Sequence, residues 1–318
     1  HAQFTAAATA GQLSFTAPTK TYGGSALSGE LTYHVYVNTD APLTGKVNAG
    51  SSAVVPVQAR EGMNTFVVTL SNAAGASPKA RLSAYAGYDT PKSVDKLTLS
   101  VDAARRADLT WTAPTATEHG GFLGTLTYDL IRITGTDTTQ VANGISDVHF
   151  SEVLPEGPLM GYRYAVRAHN QSQVTTWTNS NNAVVGSPIE PPFFDEFANA
   201  ADAELYTVID NNNDQASWAW DKDPYTEQTA YRYHWSDTEK ADDWLLLPPL
   251  RLRAGKVYTF QFKAKSNGTD YTERFEVKWG QAPNPAGLTT VILNPTEVST
   301  DEYQTFTNEL HPQAAGTY

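Results

Sequence analysis

Apolar and polar residues alternate with a period of two along most of the chain. Tyr162, Tyr164, Val166 and Ala168 share one face of a segment whose other face carries Arg163, Arg167 and His169. Leu109 with Trp111, and Leu126 with Tyr128 and Leu130, repeat the pattern. So do Phe66, Val68 and Leu70 near the start, then Tyr258, Phe260, Phe262 and Ala264 against Thr259, Gln261 and Lys263. Phe275, Val277 and Trp279 alternate in the same way with Arg274, Glu276 and Lys278. Successive side chains of a strand point to opposite faces, so this periodicity predicts half-buried β-strands. Gly, Asn, Asp and Pro clusters separate the segments, and no stretch carries a helical apolar stripe. The chain reads as all-β.

The pattern also repeats at long range. Thr16-Ala17-Pro18 returns as Thr112-Ala113-Pro114, Gly23-Gly24 as Gly120-Gly121, and Leu31-Thr32-Tyr33 as Leu126-Thr127-Tyr128. A period near 100 residues is too long for a solenoid, whose repeats run roughly 20–50 residues, so each copy is expected to hold its own core. Trp111, Tyr128 and Tyr162 are the expected core of the second copy. In the first copy Phe15 replaces the tryptophan and Asn64 stands where Tyr162 aligns. Loss of that tyrosine removes a hydroxyl tie and predicts a looser corner. After the second copy, Ser187-Pro188-Ile189-Glu190-Pro191-Pro192 reads as a stiff linker, because proline restricts the backbone and removes donors. Three units follow, spanning 1–92, 93–190 and 191–318.

Leu109-Thr110-Trp111-Thr112-Ala113-Pro114, Tyr128-Asp129-Leu130 and the Tyr162-to-Asn170 segment resemble fibronectin type III modules, and the first copy resembles them more distantly. The third unit resembles the jelly-roll domains called cleaved adhesin or choice-of-anchor J, found in surface proteins of Bacteroides-type bacteria. That likeness is carried by Phe194-Asp195-Glu196-Phe197, by Ile209 to Asp214 leading to Trp218, by Asp242 to Leu250, and by Ala254-Gly255-Lys256-x-Tyr258-x-Phe260. The resemblances imply two fibronectin type III-like β-sandwiches in series followed by a larger jelly-roll β-sandwich, with Trp218 and Trp244 in its core. They imply a non-catalytic adhesin or ligand-binding segment, extracellular or at the cell surface, monomeric, whose partner is a glycan or an extracellular host protein. The alternative is an accessory binding region of a large secreted protease or glycoside hydrolase. Members of the third family usually close with further strands, so the jelly roll is expected to be incomplete and the chain to be a piece of a longer product.

Charge adds a local feature. The chain carries a net −12, which argues against a nucleic-acid surface, where clustered Lys and Arg displace counterions. Residues 195–243 hold 13 acidic and 3 basic side chains, nearly the whole excess. Such a density must be spread over solvent or gather a cation. Cysteine is absent, excluding thiolate metal sites and cysteine nucleophiles. No apolar run approaches the roughly 18–20 residues of a membrane-spanning helix.

Asp210-Asn211-Asn212-Asn213-Asp214 offers alternate oxygen side chains on a tight turn, an arrangement suited to calcium, with Asp195, Glu196, Asp242 and Asp243 as further candidate ligands. An ordinary Asn/Asp-rich turn explains the same run without an ion. Trp218, Trp220, Trp235 and Trp244 crowd into 27 residues with Tyr225, Tyr231 and Tyr233. Tyr231, Tyr233 and Trp235 share a face that a sandwich would bury, which leaves Trp220 and Tyr225 as candidate platforms for stacking on sugar rings. Asn170-Gln171-Ser172 and Asn267-Gly268-Thr269 match the N-glycosylation sequon. No metalloprotease, nucleophile-elbow or phosphate-loop motif occurs, so no catalytic activity is expected.

Overall fold

The computed structural model describes residues 1–222 and 228–318. The first unit contains β1 (Ala2–Phe4), β2 (Ala10–Thr16), β3 (Glu30–Val37), β4 (Leu43–Asn48), β5 (Ser52–Gln58), β6 (Gly62–Asn72), β7 (Gly75–Ala76) and β8 (Ala80–Ala86). One sheet has the order β1-β2-β5. The other runs β4-β3-β6, with β7 and β8 both paired to β6. All pairings are antiparallel. Leu13, Val55 and Val57 from one sheet meet Val35, Val37, Phe66 and Val68 from the other.

The second unit repeats this wiring strand for strand. It contains β9 (Asp95–Val101), β10 (Arg106–Thr112), β11 (Thr127–Thr134), β12 (Asp137–Ile145), β13 (His149–Val153), β14 (Met160–His169), β15 (Thr178–Asn179) and β16 (Ala183–Val185). The sheets are β9-β10-β13 and β12-β11-β14, with β15 and β16 on β14. Period-two alternation turns Trp111, Tyr128, Tyr162 and Tyr164 inward, and all four are buried. Trp111 packs edge-on against Tyr128, ring centroids 5.3 Å apart. Stacked sheets that each bury one face make a sandwich, and the molecule is an all-β chain of this kind.

The corner expected to be loose is not. Asn64, fully buried at the start of β6, donates from Nδ2 to the carbonyls of Arg60 and Gly62 at 2.7 and 2.8 Å. Its Oδ1 accepts from the Arg60 amide at 3.0 Å and from Asn38 Nδ2 at 2.8 Å. An amide side chain both donates and accepts, so it ties a corner from within where a phenol would supply one hydroxyl.

The third unit contains α1 (Ala200–Ala203), β17 (Thr207–Asp210), β18 (Trp218–Lys222), β19 (Thr229–Tyr233), β20 (Asp243–Leu246), β21 (Arg251–Leu252), β22 (Tyr258–Ala264), β23 (Glu273–Trp279), β24 (Thr290–Val298), β25 (Gln304–Leu310) and β26 (Gly316–Thr317). These strands pair as antiparallel ribbons: β17-β20, β18-β19, β21-β26, β22-β25 and β23-β24. Phe262 stacks on Phe306 at 5.1 Å, and Phe275 lies edge-on to both, so the β22-β25 and β23-β24 ribbons pack through their aromatic faces. Among the described residues no helix is long and apolar enough to cross a membrane.

Candidate functional site

The acidic turn follows β17 and leads into β18. The β17-β20 register places Asp210 directly across from Asp243. Like charges in that position repel, so pairing alone would disfavour the arrangement. The chain after Asp210 turns back sharply, with Asn213 and Gln215 at φ of 58° and 67°, a region Asn tolerates better than most residues. Asp210 pins the turn by accepting the Asp214 amide at 3.3 Å and the Gln215 amide at 2.9 Å. Asp214 accepts the Ala216 amide at 2.9 Å. The outcome is a third carboxylate beside the first two. One oxygen from each of Asp210, Asp214 and Asp243 lies within 4.8 Å of the others.

Two oxygens in and next to this group bear on what it does. Oδ1 of Asp243 and Oδ1 of Asn212 are buried and have no hydrogen-bond partner. Asn212 is oriented by its Nδ2, which donates to Asp214 Oδ2 at 3.1 Å and to the Lys240 carbonyl at 2.8 Å. The other oxygen of Asp243 accepts from the Tyr233 hydroxyl at 3.2 Å. Burial and the neighbouring Asp243 push the Tyr233 phenol up to about 12. A buried acceptor without a partner costs about 1–3 kcal/mol. Two oxygens bound to a calcium at about 2.4 Å can be no more than about 4.8 Å apart, so the spacing of the three carboxylates suits that ion.

The structure separates the other candidate ligands from this group. Asp195 accepts the Phe197 amide at 2.7 Å and lies by Tyr206 and Tyr231. Burial first, and the Asp195 charge second, drive the Tyr231 phenol up to about 12. Glu196 is exposed to solvent. Asp242 is exposed, and its oxygens accept from Trp244 Nε1 at 3.1 Å and Asn211 Nδ2 at 2.6 Å.

The aromatic candidates also move. Trp220 is half-buried and donates from Nε1 to the Phe197 carbonyl at 2.9 Å, so its polar edge is committed inside the fold and it is not an open platform. Tyr225 lies outside the described residues. Trp235 is 69% exposed whereas Tyr231 and Tyr233 are half-buried, because β19 ends at Tyr233 and the alternation no longer applies beyond it. The loop carrying Trp235 is fastened to the acidic turn at both ends, by His234 N to Ser217 O at 2.9 Å and by Asn212 to Lys240. Sequence reasoning missed this residue; the polar run Ser236-Asp237-Thr238-Glu239-Lys240 after it was the available sign that the strand had ended.

Elsewhere Asp129, His169 and Thr127 are grouped in the second unit, a combination that resembles a nucleophile–base–acid array. The geometry does not serve that chemistry. A base must face the nucleophile with one ring nitrogen and the acid with the other, whereas Thr127 Oγ1 lies almost equally far from both nitrogens of His169, 3.2 Å from Nδ1 and 3.1 Å from Nε2, and Asp129 Oδ1 shares Nε2 at 3.3 Å. Asp129 also holds Arg167 at 2.9 Å and the Gly144 amide at 3.0 Å. Burial opposes its ionisation, but these bonds and the adjacent cations hold its pKa below the ordinary value.

No family model matches the chain, and no curated protein matches it. Similar solved structures include a two-domain fibronectin type III segment from chicken tenascin, 11% identical, covering 59% of this chain and 97% of that one, with a TM-score of 0.27. Domains A168–A170 of titin are 16% identical, over 49% of this chain and 54% of that one, with a TM-score of 0.28; the chain thus spans about half of that titin segment. The sandwich architecture itself rests on the strand order within this chain.

Proposed function

We propose that this chain is a non-catalytic extracellular binding segment in which two β-sandwich spacers present an acidic, calcium-holding unit that engages a glycan. The observation that carries this reading is the gathering of Asp210, Asp214 and Asp243, with Oδ1 of Asp243 itself and Oδ1 of the adjoining Asn212 buried and without partners. Calcium would relieve the repulsion between facing strands and tie the turn to β20. Trp235, fastened to that turn, supplies the aromatic face. It is followed by hydroxyl- and charge-bearing residues, which suits a single sugar ring better than a protein interface of more than about 1,000 Å².

Calorimetric titration of the metal-free chain with calcium is expected to show one site, lost in the Asp210→Asn, Asp214→Asn double variant. Binding should stabilise the third unit by about 2.7 kcal/mol at a hundredfold excess over Kd, with the two sandwiches as internal control. No heat of binding, or a shift shared equally by all units, refutes the metal site. A glycan array comparing the parent with Trp235→Ala tests the ligand; equal signal from both, or binding only to protein probes, refutes the sugar.

A further inference from the structure

We infer that the first two sandwiches are locked into one rigid body by the linker Gly87–Lys92, which seats on the loop Thr117–Gly124 of the second unit and is keyed there by the buried Asp89. The connection has no slack. Strand β8 ends at Ala86, which is fully buried, and the very next carbonyl, of Gly87, already accepts the Phe122 amide at 3.0 Å. The Asp89 amide returns a bond to the Phe122 carbonyl at 3.1 Å. Lys92 N to Ala116 O at 3.0 Å and Glu118 N to Thr90 O at 2.9 Å continue the seam. Short strand-like pairing thus begins where the first unit stops.

The Asp89 side chain fixes the register. It is wholly inaccessible, and its Oδ2 accepts the backbone amides of His119 at 2.7 Å and Gly121 at 3.1 Å. Its Oδ1 accepts the Thr90 amide at 2.8 Å and faces His119 Nδ1 at 3.0 Å. From the other side Asn170 donates to the Asp89 carbonyl and to that of Leu123, each at 2.9 Å. The first unit also touches the loop directly, since Tyr85 of β8 stacks on His119 with ring centroids 5.5 Å apart and nearly parallel planes. A charged acceptor meeting several donors in a closed seat is strong and directional, unlike a flexible polar tether.

The repeated glycine pair gives an independent sign. A Cβ at Gly121 would lie 2.5 Å from Tyr85 Cδ1 and 2.7 Å from Asp89 Cβ, so glycine is needed there for the approach of the other unit. Its counterpart in the first copy, Gly24, has nothing within 4 Å of its Cβ position, and neither does Gly23. The pair is common to both copies, but its emptiness is used only at this junction. A fixed angle between the two spacers removes the part of the ordering cost on binding that a hinge between them would add.

The chain has no cysteine, so Val54→Cys on β5 and Thr138→Cys on β12, both exposed, place two nitroxide labels uniquely. Pulsed electron–electron resonance on the full chain is expected to give one narrow distance. Asp89→Ala, and separately a Gly-Ser-Gly-Ser insertion between Ala86 and Gly87, should each replace it with a broad distribution. Hydrogen exchange of β6 and β14 serves as the folding check, the insertion falling after the last residue of β8. A distribution already broad in the parent overturns the inference, as does a narrow peak that survives the insertion.

Discussion

Replacing Asn64 with alanine tests whether one buried amide holds the corner of the first sandwich. The substitution removes four hydrogen bonds, two donated by Asn64 and two accepted by it. At about 0.5–1.5 kcal/mol net for each, the sum is roughly 2–6 kcal/mol. Arg60 is exposed, so water can take over its amide and carbonyl, which puts the loss in the lower part of that range, about 2–3 kcal/mol. For a unit of this size the melting temperature falls by about 10–20 °C. Tryptophan fluorescence does not report on this unit, because all seven tryptophans lie beyond residue 110. Hydrogen exchange resolved by peptide does. Protection in β3 and β6 should drop roughly 30–150-fold while β11 and β14 stay unchanged. Protection in β3 and β6 within about twofold of the parent would refute the reasoning, because a fully buried amide that makes four bonds cannot lose them silently.

Trp111→Ala empties a core position against Tyr128 and should cost the second sandwich about 3–5 kcal/mol in calorimetry, whereas Trp111→Phe, the residue type at position 15, should cost far less, since Trp111 Nε1 has no partner to lose. Burial works against ionising Asp89, but the bonds from His119, Thr117 and Gly121 prevail and hold its pKa down to about 2. Its unperturbed value is near 3.8, so the junction gains stability at pH above about 4 and loses it as pH falls from about 4 toward 2. The His119 and Gly121 amide resonances should therefore titrate near pH 2, and a midpoint near 4 would show that the seat is open. In a glycosylating host Asn267, which is exposed, should carry glycan, whereas Asn170 should not, because its Nδ2 is buried and bonded to two carbonyls. Mass spectrometry of the two peptides decides this.

The sequence determined the all-β character and the inward faces, because period-two alternation depends only on the local geometry of a strand. Tyr164, Val166 and Leu109 follow that rule to full burial. It also showed the duplication, since repeated text survives without knowledge of contacts, and it marked residues 195–243 as a place where charge must be resolved. What it could not supply was which carboxylates meet. Asp210 and Asp243 are 33 positions apart, and only the β17-β20 register sets them face to face, while Asp195 and Asp242, equally acidic on paper, are drawn to other partners. Trp235 escaped burial because a strand ended two residues earlier. Asn64 stands in the sequence as a missing tyrosine, and only the fold surrounds it with the Arg60 backbone and Asn38. Alternation is a property of one segment and is legible along the chain; register, strand ends and the partners of a polar side chain depend on residues that only folding brings together.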